Sequence, residues 1–136
     1  MPSGRFEVDT YRVQISRGGS ISRVLYALGT EASGTEGHRD YALLYFRDST
    51  SAYVGSLRVP QFPTHQSFAL SVYLPIDDFD ATYRILQTEK PLYIHFSYEH
   101  EPINPGSVTH RMTYFYLSSE NEPLGEGPED AGSAAP

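Results

Sequence analysis

Two histidines and a glutamate fall within the six residues His95-Phe-Ser-Tyr-Glu-His100, the richest local set of side chains able to bind a metal or move a proton. On a helix, residues three or four apart share a face, as zinc-protease signatures require. Here Leu92, Ile94, Phe96 and Tyr98 alternate with the positions between them, which is the period of a strand. His95 and Glu99 then share a face but stand ~13 Å apart, at about 3.3 Å per residue. Zinc holds its ligands at about 2 Å, so this segment alone makes no metal site.

A second strand changes what the segment can do. Thr113, Phe115 and Leu117 alternate in the same way. If residues 100–109 form the loop of a hairpin, Glu99 faces His110, Ser97 faces Met112, His95 faces Tyr114 and Tyr93 faces Tyr116. One face of the pair is then apolar. The other presents Tyr93, His95, Tyr114 and Tyr116 and ends in Glu99 and His110. Tyrosine rings offer flat apolar area with a hydrogen-bonding tip, the property used by sugar-binding and protein-binding surfaces. The competing expectation is that the helix, or a second sheet, covers these rings as ordinary core and leaves His95 half-buried beside a hydrogen-bonding neighbour. A rival chemistry, a metal-dependent enzyme or a metal or small-ligand binder, requires His95, Glu99 and His110 to converge within about 4–5 Å.

Other constellations carry less. Glu36, His38 and Asp40 lie at the entry to a strand, where a loop can gather metal ligands but more often holds solvated charge. Asp77, Asp78 and Asp80 lack the glycine and terminal glutamate of a calcium loop, and suit the capping of a helix start. No Gly-x-Ser-x-Gly elbow occurs, and Ser33-Gly-Thr-Glu-Gly37 lacks the strand-to-helix setting. The glycine-rich spots are not followed by the lysine and helix of a phosphate loop. With no cysteine in the chain, disulfide scaffolds, Cys-ligated metals and thiol nucleophiles are excluded. No catalytic constellation, metal site or cofactor is expected.

The elements that must position these residues are mostly strands. Eleven Tyr and 7 Phe, with 11 Gly and 10 Pro, favour strands and turns. Tyr11, Val13 and Ile15 alternate with polar residues, and Gly18-Gly19 supplies a tight turn. A two-residue turn there sets Val13 opposite Val24 and Tyr11 opposite Tyr26. Residues 41–46 are apolar throughout and call for cover on both faces. Residues 48–51 turn the chain into a fourth strand over 52–59, Pro60 and Pro63 fix the next connection, and residues 67–74 alternate as a fifth. Phe79, Tyr83 and Leu86 then recur at helical spacing, which predicts a short helix near residues 77–89, stopped before Pro91 and acting as a lid over one end of the core.

The chain carries −7, with 17 acids against 10 bases. Five of those acids, Glu120, Glu122, Glu126, Glu129 and Asp130, lie in a stretch with no base, which leaves 12 against 10 on the rest. Residues 119–136 are therefore expected to be a disordered acidic Gly/Pro-rich tail, and residues 1–118 a single domain. The bases are scattered without a cluster, so nucleic acid is not an expected partner. The absence of a long apolar run or an apolar leader predicts a soluble, cytoplasmic chain that does not enter a membrane. The fold expected is all-β and mainly antiparallel, a β-sandwich or barrel-like sheet of about seven strands with one short helix. A single sheet backed only by the helix would leave residues 41–46 bare. The function expected is a non-catalytic binding or interaction module, self-associating or binding a protein through the Tyr-rich face, with carbohydrate or another small ligand as a sub-case.

Overall fold

A computed structural model describes residues 2–16, 21–29, 39–48, 53–60 and 67–119. Its strands are β1 (Ser3–Ile15), β2 (Ile21–Gly29), β3 (Tyr41–Arg47), β4 (Gly55–Arg58), β5 (Ala69–Pro75), β6 (Leu92–Pro102) and β7 (Thr109–Ser119). A 3-10 turn (Ile76–Asp78) and one helix, α1 (Phe79–Thr88), separate β5 from β6. The strands close into a barrel in the order β1-β2-β3-β5-β4-β7-β6, with β6 returning to β1. Every pairing is antiparallel except β3 with β5, which run parallel. The all-β expectation holds, in its barrel form and with one parallel pair.

The inside of the barrel is solid. Leu25 and Ala27 from β2, Ala42, Leu44 and Phe46 from β3, Leu57 from β4, Leu70 and Val72 from β5, Ile94 and Phe96 from β6 and Met112 from β7 point inward and are buried. Alternating residues of each strand fill the interior, the pattern required of a small closed sheet. Residues 41–46 show why an unbroken apolar run misleads. Ala42, Leu44 and Phe46 are buried, while Tyr41, Leu43 and Tyr45 are half-buried on the outer wall. No second layer covers them within the described residues; neighbouring outer rings do part of that work, with Tyr45 stacked on Tyr73 at 5.4 Å.

α1 lies across one end of the barrel. Phe79, Thr82 and Leu86 face inward, Phe79 meets Phe46 edge-on at 5.2 Å, and Tyr83 meets Tyr11 at 6.1 Å. The three aspartates stand at the positive end of the helix, but none of their side chains makes a capping hydrogen bond. Instead the Phe79 amide donates to the Ile76 carbonyl, so the preceding 3-10 turn takes over part of what a cap was expected to do.

Two registers differ from expectation. β1 and β2 pair as Val13↔Leu25 and Tyr11↔Ala27, one residue away from the two-residue-turn register. The run Val24-Leu-Tyr-Ala-Leu28 is apolar at each position and does not fix its own phase; the barrel selects Leu25 and Ala27 for the interior. A bulge at Asp9 absorbs the offset, since Val8 pairs with Gly29 but Thr10 with Leu28. The Gly18-Gly19 turn, residues 49–52 and the acidic stretch from Glu120 onward lie outside the described residues.

Candidate functional site: the outer wall of β6 and β7

β6 and β7 form the hairpin expected, shifted by two residues. His95 faces Tyr116, Tyr93 faces Ser118 and Ser97 faces Tyr114. A shift of two keeps every side chain on its own face, so Tyr93, His95, Tyr114 and Tyr116 stand together on one side. That side is the outside of the barrel. Their neighbours Ile94, Phe96, Phe115 and Leu117 point the other way, and α1 packs at the barrel end without covering the wall.

The rings form a continuous run. The His95 imidazole lies on Tyr116 with centroids 4.4 Å apart and planes 2° from parallel. Tyr116 meets Tyr114 edge-on at 5.3 Å, and Tyr93 lies 6.5 Å from His95 on the other side. β1 extends the run, since Arg5 pairs with His95 in register and sets its guanidinium 4.5 Å from the Tyr93 ring centre. Below the rings, His95 Nε2 and Ser118 Oγ are 3.0 Å apart, and Ser97 Oγ and Thr113 Oγ1 are 2.9 Å apart. Tyr114 is 57% exposed and Tyr116 41%. Tyr93 and His95 are half-buried, and His95 has the hydrogen-bonding neighbour that the covered arrangement gave it, while Tyr114 and Tyr116 are open.

Glu99 and His110 do not join this wall as side chains. A bulge at Thr113 shifts the phase of β7 and turns Met112 inward opposite Tyr98, and a second irregularity brings Pro102 opposite His110. His110 Nδ1 lies 2.8 Å from the Glu99 main-chain oxygen. A carbonyl only accepts, so Nδ1 carries the proton and donates. The His110 ring also packs edge-on against Tyr98 at 5.2 Å. His95, by contrast, is held by Tyr116 and Ser118. No group of three His, Asp or Glu able to hold a metal ion occurs among the described residues.

Asp40 has a structural task. Its carboxylate accepts from the Phe68 amide at 2.8 Å, its carbonyl accepts from Gly29 at 2.7 Å, and the adjoining Tyr41 amide donates to Phe68 at 3.1 Å. It thus clasps the starts of β3 and β5 together. Burial raises its carboxyl above the usual aspartate value, and the Phe68 hydrogen bond opposes that rise. Glu36 and His38 lie outside the described residues.

The His95 imidazole and the Ser118 hydroxyl form a hydrogen-bonded pair on this outer wall. What the wall offers is flat apolar area edged with hydroxyls, an imidazole and one guanidinium.

A second aromatic stretch, running over the outer wall of β3 and β5 to the start of β4, was not foreseen. Tyr45 stacks on Tyr73, and Tyr53 lies 5.7 Å from Tyr73. Arg47 sits 4.3 Å over Tyr73, Arg111 5.6 Å from Tyr53, and Arg12 5.8 Å from Tyr26. Burial first, then Tyr73, Tyr26 and Tyr41, push the Tyr45 phenol above its ordinary value. β2, β3, β4 and β5 contain no acid at all. The local signal was the alternation Tyr41, Leu43, Tyr45, Arg47; the parallel β3–β5 pairing that gathers the cluster has no local signature.

No protein-family model, curated protein or solved structure matches the chain.

Proposed function

We propose that the protein is a non-catalytic binding module that docks a protein partner on the outer wall formed by Arg5, Tyr93, His95, Tyr114, Tyr116 and Ser118. The carrying observation is the run of rings from half-buried Tyr93 and His95 to exposed Tyr116 and Tyr114, held by the stacked imidazole and its contact with Ser118. Pre-stacked rings lose little side-chain freedom on contact, so most of their buried area turns into affinity. The filled interior supports the same reading, because a ligand has no room inside the barrel and must be met on its surface. The wall is broad and convex, the shape of a contact with another folded surface, whereas drug-sized ligands are held in concave sites.

A photo-reactive residue placed at Tyr114 in the cell of origin tests this directly. The expected result is one discrete protein adduct, absent when the same residue replaces Gln87 on the exposed side of α1, and lost when Tyr116→Ala is added. Equal labelling from both positions, or none from Tyr114, overturns the proposal. Titration of a mixed sugar library, followed by amide shifts of β6 and β7, distinguishes the carbohydrate sub-case.

A further inference from the structure

β1 has one bare edge. It pairs with β6 only from Ser3↔Ser97 to Glu7↔Tyr93, and with β2 from Val8↔Gly29 to Ile15↔Arg23. β6 begins at Leu92 and cannot follow further. From Thr10 to Ile15 the strand is therefore paired on one side, and the main-chain groups of its other side have no main-chain partner among the described residues. Proteins usually blunt such edges with Pro, Lys and other charges, a bulge or a short length. The stretch Thr10-Tyr-Arg-Val-Gln-Ile-Ser16 has no Pro or Lys and carries a single charge, and the bulge at Asp9 lies before it. It also leaves Val13 40% and Ile15 69% exposed, on the side of the strand that faces the interior elsewhere. Next to it lies an open cleft lined by Val8, Asp9, Thr10 and Tyr11 and by the end of α1.

We infer that this edge pairs antiparallel with the same edge of a second copy, about a twofold axis through Val13. The argument is the self-complementarity of the sequence in that register. An axis normal to the sheet sets Val13 against Val13 of the partner subunit, Tyr11 against Ile15 and Arg12 against Gln14, with Thr10 against Ser16. Apolar side chains meet on the inner side and polar ones on the outer side, as cross-strand pairing favours. Centring on Arg12 instead opposes two guanidiniums and sets Ile15 against Asp9. Centring on Gln14 removes Tyr11 from the apolar row. The two barrels then share one continuous sheet through β1, a form of strand addition. This inference is independent of the β6–β7 wall, which remains free in such a dimer.

The absence of cysteine makes the register measurable. In the full chain, Val13→Cys is expected to form a disulfide dimer on mild oxidation, because facing Cα atoms in an antiparallel pair stand about 4.5–5.5 Å apart, within disulfide reach. Ile15→Cys alone is expected to cross-link at least tenfold more slowly, since its own counterpart lies ~13 Å along the partner strand. Unmodified protein should double in sedimenting mass as concentration rises, with the amides of residues 10–16 gaining protection from hydrogen exchange in parallel. A strict monomer at millimolar concentration overturns the inference, as does equal cross-linking at both positions. Edge amides already protected in the dilute monomer also overturn it, because the chain's own segments then cover the edge. The mass and exchange measurements use the natural sequence and stand even if a cysteine variant fails to fold.

Discussion

His95 shows how one side chain can be fixed without being buried. Tyr116 holds its face and Ser118 its edge, so the ring is oriented before any partner arrives. Tyr114 sits at the end of the same run with more than half its surface open, and among the described rings only Tyr116 touches it. Tyr114→Ala should therefore change the unfolding free energy by no more than about 0.5 kcal/mol while weakening partner binding at least tenfold; chemical denaturation and a binding titration read the two effects separately. Gly55 is the opposite kind of residue. Its φ is +144°, and a Cβ there would collide with the Ser71 carbonyl oxygen where β4 pairs with β5. Gly55→Ala should cost on the order of 3 kcal/mol in thermal or denaturant unfolding, from main-chain strain. At this scale the sequence was informative about facing and silent about distance. Strand period two told which rings share a side, so a register error of two residues left Tyr93, His95, Tyr114 and Tyr116 together. The same error separated Glu99 from its expected meeting with the His110 ring, because bulges near Thr113 and before Pro102 leave no trace in local alternation.

Among elements, α1 and the Asp40 clasp hold opposite ends of the barrel. α1 is ten residues long, too short to persist alone, so its stability comes from packing Phe79 and Leu86 onto the core. Phe79→Ala removes the contacts with Phe46 and Tyr83 and the surface over which Arg23 lies at 4.9 Å; the expected loss is about 3–5 kcal/mol, measured by denaturation. Burial of Asp40 predicts a pH effect of definite sign. Asp40 has a carboxyl raised by burial above its value of 3.8 in the unfolded chain. The folded state therefore holds its proton longer, and Asp40 favours folding most below that value. Its contribution is lost as pH rises through the raised folded value. Asp40→Asn keeps an acceptor for the Phe68 amide and cannot ionise. Relative to the natural protein it should gain stability as pH goes from about 4 toward neutrality, in paired denaturant melts; a parallel pair of curves would contradict the burial-raised carboxyl. The helix and seven strands were readable from period and punctuation. The first half of β1 was not, because Ser-Gly-Arg-Phe-Glu lacks an alternating apolar face and becomes a strand by pairing with β6.

Taken whole, the barrel closes by joining the first strand to the sixth, with Ser3 opposite Ser97, and by a parallel contact between β3 and β5. Neither can form before long loops have been ordered. Folding should accordingly occur in milliseconds to seconds, not microseconds, in stopped-flow refolding. Closure also explains why the two aromatic stretches were not both legible. One is built by a hairpin, whose partners are neighbours in sequence. The other is assembled by strands that meet only after β4 has crossed between β5 and β7. Charge follows the same geography: β2 to β5 carry arginine and no acid, while the net charge of −7 is concentrated elsewhere.

Because the interior is packed from one set of alternating positions and the wall is displayed by the other, the two are separable. Positions 5, 93, 95, 114, 116 and 118 could be randomised together with no change in core volume, and most members of such a library should keep the parent's cooperative melt. The fold is in that sense a frame that tolerates re-tiling: its recognition properties can drift, or be redesigned, faster than its architecture.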